Sequence, residues 1–222
     1  MTCSRRKFIT IAAGTVAMAA GCGRSVQTID GVRYGMVHDE TACIGCTACE
    51  EACREVNHIP ETNDPKVTRL RIERTGPVGD YPNMRYYFYR HSCQHCENAP
   101  CVEVCPTGAS YIDPATGIVD INPSRCVGCK YCVFACPYRV RFIHPVTRVI
   151  DKCDFCRHTN LKEGKLPACV LACPTKALTF GNLDNPDSEV SRKIRDNTYY
   201  RAKEALGTRP KMYRIPKGRI RS

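Results

Sequence analysis

The sequence lacks the motifs that mark most enzymes and most membrane spans. Its 222 residues contain no GxGxxG dinucleotide fingerprint, no P-loop, no CxxCH haem-attachment motif and no nucleophile paired with a base. Tryptophan is absent, and the apolar stretch from Phe8 to Ala20 is too short to cross a bilayer as a helix. These absences predict a protein that has no substrate site of its own and binds no quinone inside the membrane.

Cysteine, by contrast, is abundant, with 18 residues in the chain. Sixteen of them group into four tetrads. Tetrad one is Cys43, Cys46, Cys49 and Cys53; tetrad two is Cys93, Cys96, Cys101 and Cys105; tetrad three is Cys126, Cys129, Cys132 and Cys136; tetrad four is Cys153, Cys156, Cys169 and Cys173. Tetrad three reads C-x2-C-x2-C-x3-C-P, the run that ligates [4Fe–4S] clusters in bacterial two-cluster ferredoxins. We therefore predict four [4Fe–4S] clusters, with these sixteen cysteines as the iron ligands.

Zinc binding and disulfide formation are the two other uses of such cysteines. Four zinc sites would need separated CxxC pairs that close a tetrahedron, whereas here three thiols fall within seven residues at Cys43–Cys49 and again at Cys126–Cys132. An even number of cysteines in an exported chain also suggests disulfides. The repeated cluster spacing, with a proline after the last cysteine of three tetrads, favours iron–sulfur chemistry over both alternatives.

The ligand sets are predicted to be crossed, because the fourth cysteine of the two-cluster run ligates the other cluster. Site one then comprises Cys43, Cys46, Cys49 and Cys173; site two Cys93, Cys96, Cys101 and Cys136; site three Cys126, Cys129, Cys132 and Cys105; site four Cys153, Cys156, Cys169 and Cys53. His95 lies inside tetrad two, which already has four cysteines, so we interpret it as a packing residue. The crossed ligands would couple folding to metal binding.

The N-terminus predicts export. Ser4 to Thr10 reads as a twin-arginine signal, and the apolar stretch that follows has the length of a signal h-region. The Tat pathway carries folded protein, so clusters assembled in the cytoplasm can still reach the periplasm. Residues 1–22 form this signal segment. Two interpretations of its end stay open: cleavage after Ala17-Met18-Ala19, and lipidation at Cys22, which ends a lipobox-like Ala19–Cys22.

The formal charge of +11 falls to +8 without the signal, and a basic chain suggests nucleic-acid binding as one hypothesis. We predict no nucleic-acid partner, because four oxidised cubanes with their thiolates bring about −8 and leave the holo-protein near neutral. The surplus Lys and Arg are interpreted as balancing cluster charge. A basic run from Arg209 to Arg221 is interpreted as a solvated tail, with a strap onto a partner or an anionic membrane surface as the alternative.

The fold class is predicted to be α+β, with two ferredoxin-like dicluster modules in one compact domain, hairpin insertions and short helices. A strand over Val32–Val37 leads into a helix over Cys46–Val56, and Val67–Ile72 pairs with Arg85–Arg90. A second hairpin joins Tyr111–Asp113 to Ile118–Ile121, and Ser188 caps a surface helix over Glu189–Arg195. The predicted units are motif one at 31–60, a hairpin insertion at 61–92, motifs two to four at 93–122, 123–150 and 151–183, and a basic extension at 184–222.

The chain also resembles a known family. The segments GVRYGMVHDETACIGCTACEEACREVN from Gly31, CQHCENAPCVEVCPTGAS from Cys93 and CPYRVRFIHPVT from Cys136 are similar to the NrfC-type subunits of formate-dependent nitrite reduction. These lie within the wider group of four-cluster subunits of molybdopterin and polysulfide reductases. The resemblance implies electron transfer from an integral membrane quinol-oxidising subunit, through which the chain associates with the membrane, to a multihaem cytochrome c. The alternative is the electron-transfer subunit of a molybdopterin-dependent reductase for polysulfide, tetrathionate or sulfoxides.

The resemblance further implies an order for the sites. It gives a line in which site two lies nearest the membrane partner, followed by site three, site four and finally site one. Site two would then receive electrons from quinol, and site one would face the cytochrome.

Overall fold

The computed structural model describes residues 31–64 and 67–218. The export signal, its cleavage point, Cys3 and Cys22 lie outside the described residues. The elements are β1 (Tyr34–Asp39), α1 (Ala48–Val56), β2 (Leu70–Val78), β3 (Arg85–Ser92), α2 (Pro100–Glu103), β4 (Ser110–Ile112), β5 (Val119–Ile121), α3 (Tyr131–Ala135), β6 (Phe142–Ile143), β7 (Ile150–Asp151), α4 (Ala168–Leu171), β8 (Leu178–Asn182), α5 (Glu189–Asp196) and β9 (Met212–Ile215). This mixture of short helices and hairpins with a dicluster domain confirms the α+β prediction.

Helix packing divides the molecule into two modules. Helix α1, which carries Cys49 and Cys53, packs against α4, and α2 packs against α3. Tetrads one and four therefore lie together, as do tetrads two and three. The two-stranded sheets β2–β3, β4–β5 and β6–β7 surround these modules. Within the described ranges, no helix combines the length and the apolar character needed to span a membrane.

The predicted hairpins form, with different bounds. Strand β2 begins at Leu70, opposite Ser92, and continues to Val78, so the first hairpin is longer than predicted. The second hairpin also forms, with β4 beginning one residue earlier than predicted at Ser110, opposite Ile121. The small β6–β7 hairpin was not predicted, because two-residue strands leave too short a pattern to detect.

The interpretation of Arg209–Arg221 as a solvated tail is wrong for its described part. Strand β9 pairs in parallel with β1, which also pairs antiparallel with β8, so the chain ends of the domain share one sheet. Lys211 and Met212 are only 1% and 2% exposed. Met212 and Ile215 are buried and the two residues between them are half-buried, so the segment shows no period-two pattern that would have predicted the strand.

The predicted surface helix also contributes to the core. Ser188 caps α5 by accepting a hydrogen bond from the Ser191 amide at 3.2 Å, as its position predicts. Val190 on α5 is fully buried in a small apolar cluster with Val37 and Ile215. The helix therefore covers one face of the three-stranded sheet and holds the C-terminal strand against β1.

Candidate iron–sulfur sites

Three cavities are each lined by four cysteines. The cysteines that line them are Cys43, Cys46, Cys49 and Cys173 in the first, Cys93, Cys96, Cys101 and Cys136 in the second, and Cys105, Cys126, Cys129 and Cys132 in the third. In each case one tetrad supplies three thiols and its packing partner supplies the fourth. These are the compositions of sites one, two and three.

The four cysteines of site four are also brought together. Asn57 Nδ2 donates weakly to Cys53 Sγ at 3.7 Å and to Cys156 Sγ at 3.6 Å. The Arg90 guanidinium joins the remaining two thiols, with Nη1 at 3.1 Å from Cys169 Sγ and Nη2 at 3.6 Å from Cys153 Sγ. Each of the four cysteines is buried. The structure thus brings together the four thiols of each predicted ligand set, and their role as cluster ligands stays a prediction.

The state of the thiols bears on the competing uses of cysteine. The sixteen described cysteines are free, so the disulfide alternative fails for them. In the described part of the chain, no three His, Cys, Asp or Glu side chains converge as a single metal ion requires. The thiols instead line cavities in sets of four, an arrangement that suits a [4Fe–4S] cubane with one thiolate for each iron.

Burial makes the thiols dependent on metal for their ionisation. It raises the pKa of Cys49, Cys96 and Cys153 to about 12, so these side chains are protonated at neutral pH without a metal. Such thiols are poor nucleophiles, because the thiolate is the reactive form. Iron binding must displace their protons, which couples assembly of the sites to folding.

Unpartnered buried donors test whether the sites fit a cluster. Arg141 Nη1 and His95 Nε2 are buried and have no hydrogen-bond partner among the described residues. The acceptor Gln94 Oε1 is also buried and also lacks a partner there. A buried donor left unpaired is destabilising by about 1–3 kcal/mol. Arg141 lines the cavities of both site two and site three. Sulfide atoms of a bound cluster would supply acceptors there, so the residues present fit [4Fe–4S] clusters.

Four buried cations surround the sites, and sequence reasoning did not single them out. Arg90, Arg141, Lys152 and Lys211 are at most 5% exposed. Lys152 Nζ donates to the carbonyls of Val119 and Cys153, and Lys211 Nζ donates to that of Gly117. Because these carbonyl partners carry no full negative charge, the two lysines fit sites that hold anionic clusters. The spacing of Lys and Arg along the sequence does not distinguish a buried cation from a solvated one. The position of Lys152 directly before Cys153 was the one available signal.

Comparison with known proteins agrees with this chemistry. Residues 84–183 match the family described as a 4Fe-4S dicluster domain. The chain is 63% identical to Protein NrfC of Escherichia coli strain K12, over 97% of this chain and 96% of that protein. It is 55% identical to the Protein NrfC homolog of Haemophilus influenzae, over 96% of this chain and 95% of that protein.

The chain belongs to the NrfC family. It is also 48% identical to the B subunit of polysulfide reductase from Wolinella succinogenes, over 84% of this chain and 96% of that protein. Both similarities confirm the resemblance noted in the sequence. They support an iron–sulfur electron-transfer subunit.

In this NrfC-family chain, an aromatic stack joins the two modules. His95 and Phe155 occupy the same position in their tetrads, directly before the second cysteine, and their ring centroids lie 3.7 Å apart. His95 Nδ1 accepts from the Val119 amide at 3.2 Å. Burial, together with the charges of Lys152 and Lys211, holds the pKa of His95 well below its usual range, so the ring is neutral and packs as the sequence predicts.

The stack bears on the order of sites that the resemblance implied, which stays a prediction. It brings a loop of site two against a loop of site four, while Ile121 and Ile150 of the site-three cavity line a pocket with Asn57 and Asp154 beside site four. The cysteines of sites two and four are all buried, whereas Cys129 of site three and Cys46 of site one are exposed. These features are the basis for a different pair of terminal sites, which we propose below. The C-terminal segment helps to enclose the thiols of site two, because the Lys211 amide donates to the Gln94 carbonyl at 2.9 Å.

Proposed function

We propose that this chain carries electrons from the quinol pool, by way of an integral membrane quinol-oxidising subunit, to a multihaem cytochrome c in nitrite reduction. The proposal includes four [4Fe–4S] clusters at the sixteen cysteines and no substrate site. The observation that carries it is the convergence of the sixteen cysteines into four sites, two of them enclosed and two with an exposed cysteine. Membership of the NrfC family supports the nitrite pathway.

The chain's own residues have three tasks in this function. The cysteines hold the clusters, which take up and release single electrons when bound. The four buried cations stabilise the negative charge that each added electron brings. The core around sites two and four, including Phe155 and Ile118, excludes water from the interior of the path.

The surface around the terminal sites supports a direction for electron flow. Val127, Tyr131 and Phe134 beside site three are 69%, 61% and 83% exposed. Site one has a smaller apolar rim at Ile44 and Leu171. Large exposed apolar side chains that lie together mark surfaces for stable partners. We assign site three to the membrane subunit and site one to the cytochrome.

The place of action follows from the proposed export. The twin-arginine signal would deliver the folded chain to the periplasm, at the outer face of the cytoplasmic membrane, where the membrane subunit retains it. Quinol oxidation and c-type haem are both accessible there.

A second candidate is the electron-transfer subunit of a molybdopterin-dependent reductase. The identity of 48% with the polysulfide reductase B subunit favours it. The two candidates share the sites and the path, and they differ in the acceptor that binds at site one.

Reconstitution distinguishes the acceptors. Vesicles that contain the quinol-oxidising subunit and quinol are mixed with the holo-chain and a multihaem cytochrome c, and haem reduction is followed by absorbance. We expect haem reduction at least about tenfold faster than with metal-free chain, because the thiols alone carry no electrons. Failure to reduce haem, with rapid reduction of a molybdopterin subunit, would favour the second candidate.

A further inference from the structure

Two arginines are buried against the cluster ligands. Arg90 lies on β3 and is 1% exposed, and Arg141 precedes β6 and is 5% exposed. Within the described residues, the side-chain bonds of both guanidinium groups go to sulfur and hydroxyl groups, not to carboxylates. Their positive charges are therefore free to act on whatever the sites hold.

Arg90 is shared by sites four and one. Its guanidinium donates to Cys169 Sγ at 3.1 Å and to Cys153 Sγ at 3.6 Å, and Ser92 Oγ fixes its Nε at 2.8 Å. Its backbone amide also donates to His38 Nδ1 at 3.3 Å, and His38 lines the cavity of site one together with Cys49. Arg90 thus lies beside both sites of the module formed by tetrads one and four.

Arg141 lies between the two sites of the other module, as Arg90 does in its own. Its Nη2 donates to Cys101 Sγ of site two and to Ser110 Oγ, each at 2.9 Å. Burial raises the pKa of Cys132 of site three, and the charge of Arg141 and a hydrogen bond from it oppose that rise. Arg141 lines both cavities, and its Nη1 has no protein partner among the described residues. The guanidinium therefore forms part of the wall between the two sites.

We propose that Arg90 and Arg141 are redox-tuning residues, each shared by the two sites of one module, and that each raises the reduction potentials of both clusters in its own module. The proposal rests on the function given above. Reduction adds a negative charge, which burial at sites two and four disfavours. A fixed cation and N–H donors to sulfur favour the reduced state. The two arginines would keep the enclosed middle sites reducible.

The two arginines provide matched controls for each other. Arg90→Met and Arg141→Met keep a long side chain and remove the charge. Purified holo-protein is titrated with a reductant, and the midpoint of each cluster is followed by EPR. In Arg141→Met we expect sites two and three to become harder to reduce by about tenfold or more, which is 59 mV for one electron, with sites one and four unchanged. Arg90→Met should give the mirror pattern. Arg90→Lys and Arg141→Lys, which keep the charge, should shift the same pairs less.

The outcomes separate tuning from a structural role. Unchanged potentials, or equal shifts at all four sites, would overturn the proposal. If a Met variant loses iron, the matching Gln variant, which also removes the charge, decides, because a shift confined to its own pair still supports tuning and no shift overturns it. Failure of wild-type protein to reduce cytochrome would count against the proposed function, while its potentials would still decide the role of the arginines.

Discussion

Loss of site three should prevent quinol from reducing every other site, while loss of site one should leave that reduction intact. The variants are the pairs Cys126→Ala with Cys129→Ala, and Cys43→Ala with Cys46→Ala. Each pair removes two outer ligands and leaves the buried cysteines of its module in place. In the first variant we expect quinol-driven reduction of the remaining clusters to fall at least about a hundredfold, because an electron path of single sites has no bypass.

The second variant separates uptake from delivery. Sites three, two and four should still be reduced by quinol, and reduction of cytochrome should fall by a similar factor. EPR in the presence of the membrane subunit follows the first effect, and haem absorbance follows the second. The opposite pattern would reverse the direction of the path, and equal blocks in both variants would contradict the assignment of sites one and three as its two ends.

The crossed ligands lead to a second large effect, in which a cysteine of tetrad one controls the cluster of tetrad four. Cys53→Ala should abolish the site-four cluster and leave the site-one signal in EPR spectra. The Asn57 side-chain amide donates to both Cys53 and Cys156, which places Cys53 beside a site-four thiol. Cys49, from the same tetrad as Cys53, lines the cavity of site one. We expect about four iron atoms fewer per chain, one cubane's content.

Cys173→Ala is the matched control, because Cys173 belongs to tetrad four and lines the site-one cavity. It should abolish the site-one signal and preserve site four. Loss of the site-one cluster in Cys53→Ala, with site four intact, would show that each tetrad binds its own cluster.

The sequence was informative where the chemistry is local. Ligand spacing led to sites whose fourth cysteine comes from another tetrad, and the structure brings those same thiols together. The strand at β1, the helix α1 and the cap at Ser188 also follow from short patterns. Each depends on residues within a few positions of one another, so a sequence displays it directly.

Long-range packing was not accessible in the same way. The contact between the modules includes the His95–Phe155 stack, which joins residues 60 positions apart. The parallel pairing of β9 with β1 spans nearly the whole described chain. Burial of Arg90 and Lys152 likewise depends on elements that meet only in the fold. A charge count found the surplus of cations but could not locate it.

Iron and acid-labile sulfide per chain, measured on anaerobically purified protein, test the central claim most directly. Four complete cubanes predict about 16 iron atoms and about 16 sulfides. Two iron atoms per chain, or zinc in stoichiometric amount, would contradict four iron–sulfur sites and the electron path built on them.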